Sequence, residues 1–154
     1  MEYCLTIMHI VLHQPEIHYN AGSIGRTCVA LGAKLWLVRP LGFQLDDRHL
    51  RRAGLDYWQH LDWETVDDWD ALLSRLPEDR MWFFSKKVRT VYSEARFGAD
   101  DVLVFGSESQ GLPRSILDAH PNRCLRIPIH PDARSLNLSV SAAVAAFEVQ
   151  RQLR

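Results

Sequence analysis

Short apolar runs recur along the chain with helix-forming segments between them, and this alternation limits the possible folds more than any other feature. Residues 8–13 (MHIVLH), 34–38 (KLWLV), 81–84 (MWFF), 102–105 (VLVF) and 124–127 (CLRI) each have the length and side chains of one strand. Residues 59–63 are a further candidate. The intervening helices are expected at 23–31, ended by Gly32, and from Asp46 or Asp47 to residue 53, closed by Gly54. Three more are expected at 67–76, with acids in the first turn, at 113–119, with proline there, and at 137–153. Strands alternating with helices imply an α/β fold, a mostly parallel sheet with helices on both faces.

The 154 residues suit one domain spanning 1–154. Hydrophobic residues at 47% and charged residues at 24% are those of an ordinary globular chain, which excludes disorder as an explanation of function. The net charge of −1 carries no global nucleic-acid signature, so any RNA surface must come from local clustering of cations. Cys4, Cys28 and Cys124 are odd in number and match no metal or redox spacing, pointing to free thiols in a reducing cytoplasm. Residues 5–12 are apolar but short and lack a basic leader, so a strand is expected there and not a signal peptide. No run approaches the ~18 apolar residues of a membrane span, and no membrane partner is expected.

In an open α/β sheet, ligands sit beyond the carboxyl ends of the strands. Three segments there carry the chemistry. The first is N-A-G-S-I-G-R at 20–26, read as a loop whose Gly22 and Ser23 backbone donors suit an anion, with Arg26 one turn into the following helix. An exposed arginine at a plain helix start is the alternative.

The second is G-S-E-S-Q-G-L-P at 106–113. Gly106 and Gly111 have the spacing of a phosphate-binding loop, but Leu112 and Pro113 stand where lysine and a hydroxyl are needed. Ser107 to Gly111 also comes near a serine-nucleophile elbow but lacks its first glycine. The remaining choice is between a surface turn and a site built on Glu108. The third segment, 127–139, is broken by Pro128 and Pro131, and its Ser135, Asn137 and Ser139 exceed what capping one helix requires. His9, His13 and His18 lack partners at ligand spacing, and no metal is expected.

In this order and spacing, the three segments resemble the three motifs of the SPOUT superfamily of methyltransferases, with F-G-S-E-S-Q-G-L-P as the second and R-I-P-I followed by R-S-L-N-L-S-V-S-A-A-V as the third. P-E-I at 15–17, P-L-G-F at 40–43 and D-D-R-H-L-R-R-A-G-L-D-Y-W at 46–58 are similar to the small TrmL type, the transfer-RNA 2′-O-methyltransferases of the wobble nucleotide. The resemblance implies a C-terminal trefoil knot, S-adenosyl-L-methionine as methyl donor, and a tRNA ribose 2′-hydroxyl at position 34 as acceptor. It places Phe84, Gly106, Ile127, Ser135 and Leu136 around the donor, and Arg26, Asn20, Glu108 and Asn137 around the reaction centre. The stretch Ser85-Lys86-Lys87 after the 81–84 run departs from it, since small residues or threonine are expected there.

Arg48, Arg51 and Arg52 form the basic cluster expected to meet RNA, with Tyr57 and Trp58 as stacking partners. A catalytically silent RNA-binding module and a 2′-O-methyltransferase of another nucleotide are the rival readings. The last helix carries two apolar stripes, Leu138, Ala142, Ala145, Val149 and Leu153 against Val140, Ala143, Val144 and Phe147. One stripe is all that a surface helix normally buries, and a homodimer is expected to cover the second.

Overall fold

The computed structural model describes residues 7–46 and 58–154. Six strands form one sheet: β1 (His9–His13), β2 (Lys34–Val38), β3 (Trp63–Val66), β4 (Met81–Phe84), β5 (Val102–Phe105) and β6 (Cys124–Leu125). Their order is β3-β2-β1-β5-β4-β6 and every pairing is parallel.

Alternate residues of the strands feed two cores. Ile10, Leu12, Leu35, Leu37, Phe84, Leu103 and Phe105 face one side, where helices α1 (His18–Leu31) and the final helix pack. Val11, Trp36, Val38, Phe83, Val102 and Val104 face the other, under α2 (Trp69–Leu73) and α3 (Arg114–Ala119). A strand buried on both faces reads as a continuous apolar run, which is why these elements were visible without period-2 alternation. The final helix, α4 (Leu138–Leu153), buries Ala142, Ala145, Ala146 and Val149 completely. Its small side chains let it lie close against α1 on the same face.

Several elements differ from expectation. α1 begins at His18, five residues before Ser23, so the segment 20–26 is helix and not a loop. The N–H groups of Gly22 and Ser23 therefore lie inside a helix and offer no anion site. Gly32 ends α1 in the left-handed conformation, φ 68°, as expected.

Residues 58–60 form a 3₁₀ turn, and β3 starts only at Trp63. The strand expected at 59–63 is thus shifted to 63–66 and takes in Glu64, whose carboxylate is neutralised by Lys34 and by Arg75 at 3.0 Å. α2 is shorter than the expected 67–76, with Asp68 accepting from the Ala71 N–H at 2.8 Å as its cap. β6 is only two residues long because the chain then leaves β4: Arg126 bonds instead to Thr90 and Tyr92. Residues 47–53 of the helix expected from Asp46 or Asp47 lie outside the described residues, as does Cys4.

Cys28 and Cys124 are buried free thiols, and burial pushes the Cys28 thiol up to about 12. His9 accepts a hydrogen bond from Trp36 Nε1 at 3.0 Å, and His13 is buried against the edge of Trp69. Among the described residues no helix is long and apolar enough to cross a membrane.

Candidate functional site

A cleft of about 520 Å³ opens beyond the carboxyl ends of β4, β5 and β6. That volume is in the range of small-molecule sites. Phe84 and Phe105, the last residues of β4 and β5, stack at 4.8 Å and form its apolar floor. Gly106, Ile127, Ser135 and Leu136 line the walls, so the five residues expected around a donor share one cavity.

The loop after β5 is shaped by its glycines. A Cβ on Gly106 would lie 2.0 Å from the Gly111 carbonyl carbon, so no other residue fits there without moving backbone. Gly111 has φ +69°, the left-handed region that glycine tolerates. Its N–H donates to the Ser107 carbonyl at 2.9 Å, folding the loop back so that Glu108 projects toward α1.

Helix α1 has no capping side chain at Ile17. Glu108, 91 residues away, replaces it: one carboxylate oxygen accepts from the Glu16 N–H at 2.9 Å and the other from the Ile17 N–H at 2.6 Å. An anion at a helix N-terminus is favoured by the unsatisfied donors and the dipole there.

Asn20 Nδ2 donates to the same Glu108 carboxylate at 3.3 Å, and Asn137 Nδ2 donates to Asn20 Oδ1 at 3.1 Å. Asn137 is itself the N-cap of α4, its Oδ1 accepting from Ser139 N–H at 2.9 Å. That cap fixes the amide orientations. With Asn137 Oδ1 committed to N–H donors, its Nδ2 must face Asn20, whose own Nδ2 must then face Glu108. All three expected segments thus meet in one directed chain, Asn137 to Asn20 to Glu108, along one wall of the cleft.

Arg26 is not part of it. It lies six residues beyond Asn20, which turns it about 240° around the helix and about 9 Å along it. It is exposed and lines neither this cleft nor the groove beside it. Trp58 corrects another expectation. It is 9% exposed, packs 5.2 Å from Trp63, and closes on Gly25, where a Cβ would come within 2.8 Å of its ring. It is a core residue and has no face to offer a base. Arg48, Arg51, Arg52 and Tyr57 lie outside the described residues.

Glu16 was not singled out in the sequence. Its carboxylate accepts from Ser109 N–H at 3.1 Å and from the Ser109 hydroxyl, which hold it below the usual carboxylate range. Glu16 and Glu108 therefore clasp each other's loops reciprocally. The only sequence signal for this was a helix start lacking Ser, Thr, Asp or Asn at position 17.

The chain is similar to known proteins over nearly its whole length. The tRNA (cytidine(34)-2'-O)-methyltransferase of Saccharophagus degradans is 45% identical over 148 residues, covering 96% of each chain. A solved structure described as giving structural insights into the 2-OH methylation of C/U34 on tRNA superimposes with a TM-score of 0.89 at 48% identity, again over 96% of both chains. The SpoU methyltransferase AviRb from Streptomyces viridochromogenes, solved with AdoMet, shares the fold at 20% identity, with a TM-score of 0.82 over 99% of this chain and 60% of its own. Residues 7–147 match the model of the SpoU rRNA Methylase family, and the chain belongs to that family.

Proposed function

We propose that the protein transfers a methyl group from S-adenosyl-L-methionine to the ribose 2′-hydroxyl of nucleotide 34 in the tRNA anticodon loop. The convergence of three sequence segments on one cleft through Asn137, Asn20 and Glu108 carries this reading. The full-length relatives at 45% and 48% identity support the substrate. The cleft fits the donor by its make-up, with stacked aromatic floor for a nucleoside and serine and asparagine side chains at the rim. When bound, the donor supplies a methyl group on a sulfonium, whose leaving group is already activated.

The chain's task is then to orient the ribose oxygen and stabilise the charge it develops on losing its proton. Glu108 has three donors on its two oxygens, which makes it an organiser of the wall and not a base. Asn20, 7% exposed, is held rigid between Glu108 and Asn137 at the cleft edge. Arg26 holds the adjoining phosphate and stabilises the developing alkoxide. A guanidinium is never deprotonated in a protein, so the proton goes to another acceptor.

The working unit is a homodimer joined through α1 and α4. Tyr19, Ser23, Arg26 and Ala30 form an exposed stripe on α1, beside Val140 and Phe147 on α4, which are 47% and 50% exposed. A second copy covering these aromatics would carry Arg26 to the neighbouring cleft, which its own chain does not let it line. The C-terminal segment follows the threading of a trefoil knot, supported by the return of residues 126–137 from the sheet edge past residues 86–92 to Asn20. tRNA places the enzyme in the cytoplasm.

Titration calorimetry with S-adenosylmethionine tests the catalytic reading against a silent RNA-binding module. Saturable binding that is lost in Gly106→Val is expected. An absence of binding would leave only the module.

A further inference from the structure

A second groove, of about 570 Å³, lies on the far side of the loop after β5 and shares residues 107, 109–112 and Lys87 with the donor cleft. Its other wall is the turn at residues 40–42, locked in place because Gly42 donates to the Pro15 carbonyl at 2.9 Å and has no room for a Cβ against the Glu16 backbone. We propose that this groove holds the phosphodiester backbone of the RNA strand next to the target nucleotide, with Lys87 and Arg114 as the phosphate contacts. The inference rests on the tRNA reading above.

The chain as a whole is slightly acidic, so an RNA strand must be held by cations gathered locally. Lys87 is one. The turn after β4 is set by its N–H donating to Ser85 Oγ at 3.1 Å, and its side chain lines both cavities. Among the described residues no carboxylate lies within ion-pair distance of it. Among the described residues Arg114 pairs with Asp118, at 3.6 Å with both side chains largely exposed, a pair that solvent weakens.

The opposing charge is small. The groove's one lining carboxylate, Glu16, is ionised and aimed at the Ser109 N–H and hydroxyl, so a single negative charge opposes the two cations. His13, buried at its floor, is held neutral by desolvation and adds no cation. Leu41, half-buried at the groove wall, gives apolar surface on which a base can rest. A strand lying here passes over residues 107–112 directly into the cleft wall that holds Asn20 and Glu108. This also gives a role to the lysine that departs from the family pattern.

The test is the double variant Lys87→Ala/Arg114→Ala, compared with wild type for tRNA binding across a salt series and for donor binding by calorimetry. Both side chains are exposed, so the fold should persist. Loss of two charge-assisted contacts should weaken tRNA binding roughly tenfold or more. The slope of log K against log salt should fall by about 1.4, at about 0.7 per single-strand phosphate. Arg114→Ala alone, which lines only this groove, should leave donor affinity unchanged. Arg96→Ala, exposed and outside both cavities, should leave the slope alone.

An unaltered slope, an equal loss in Arg96→Ala, or weaker donor binding with an unaltered slope would each overturn the groove assignment. The last outcome would give Lys87 to the donor's carboxylate. Wild-type protein incubated with tRNA and labelled donor is read in parallel. Failure there overturns the tRNA reading itself, whereas normal wild-type methylation with an unaltered variant slope overturns only the groove.

Discussion

Arg26 is the residue whose position asks most of the mechanism, because it is exposed on α1 and outside the cleft that Asn20, Glu108 and Asn137 build. If its work is bidentate orientation and charge stabilisation, lysine cannot replace it, since a point charge lacks the planar fork. Arg26→Lys and Arg26→Ala should fold and bind donor normally, yet lose methyl transfer by about a hundredfold or more. Single-turnover assays at saturating tRNA isolate that step. Full turnover by the lysine variant would reduce the requirement to positive charge, and full turnover by the alanine variant would remove Arg26 from the chemistry.

That Asn20, Glu108 and Asn137 lie at strand ends was legible in the sequence, and the structure brings the three side chains together. Their connections were not legible there. Glu108 caps a helix 91 residues away, and no local pattern announces a cap supplied across the fold.

At the scale of elements, buried strands declared themselves through unbroken apolar runs, while β3, expected at 59–63, lies at 63–66 and includes a glutamate that finds its cations only after folding. The start of α1 was hidden because its cap is tertiary. Strand β1 also carries a pH dependence. His9 and His13 both have pKa values lowered from 6.5, His9 by desolvation and then by Lys34, His13 by desolvation. The unfolded chain therefore binds more protons below pH 6.5 than the folded one. The stability is present above pH 6.5 and lost as pH falls through the lowered values. Thermal melts should show Tm dropping from pH 7.5 to 5.5, with a shallower drop in His13→Asn; a flat profile would contradict the burial of neutral imidazoles.

The loop after β5 makes a second element-scale prediction. Gly106→Ala puts a methyl group into the Gly111 backbone and should cost about 3 kcal/mol in urea unfolding. Wild-type stability would mean that the loop opens freely.

For the molecule as a whole, the α/β class and parallel sheet followed from the order of elements, and the family from three motifs in sequence. The proposed dimer surface rests on the second apolar stripe of α4. Within the single chain Val140 and Phe147 of that stripe stay exposed. Phe147→Lys should shift the protein to monomer in sedimentation at micromolar concentration, and activity should fall with it, because Arg26 would no longer reach a neighbouring cleft. A dimeric Phe147→Lys protein would place the interface elsewhere.

The central claim is methyl transfer to one ribose of tRNA. Its most direct measurement is to incubate the protein with unmodified tRNA and isotopically labelled S-adenosylmethionine, digest the product, and locate the label by mass spectrometry. The label should appear on the 2′-oxygen of nucleotide 34, and Asn20→Ala should abolish most of it. Label on a base, or on the ribose of any other nucleotide, would contradict the account.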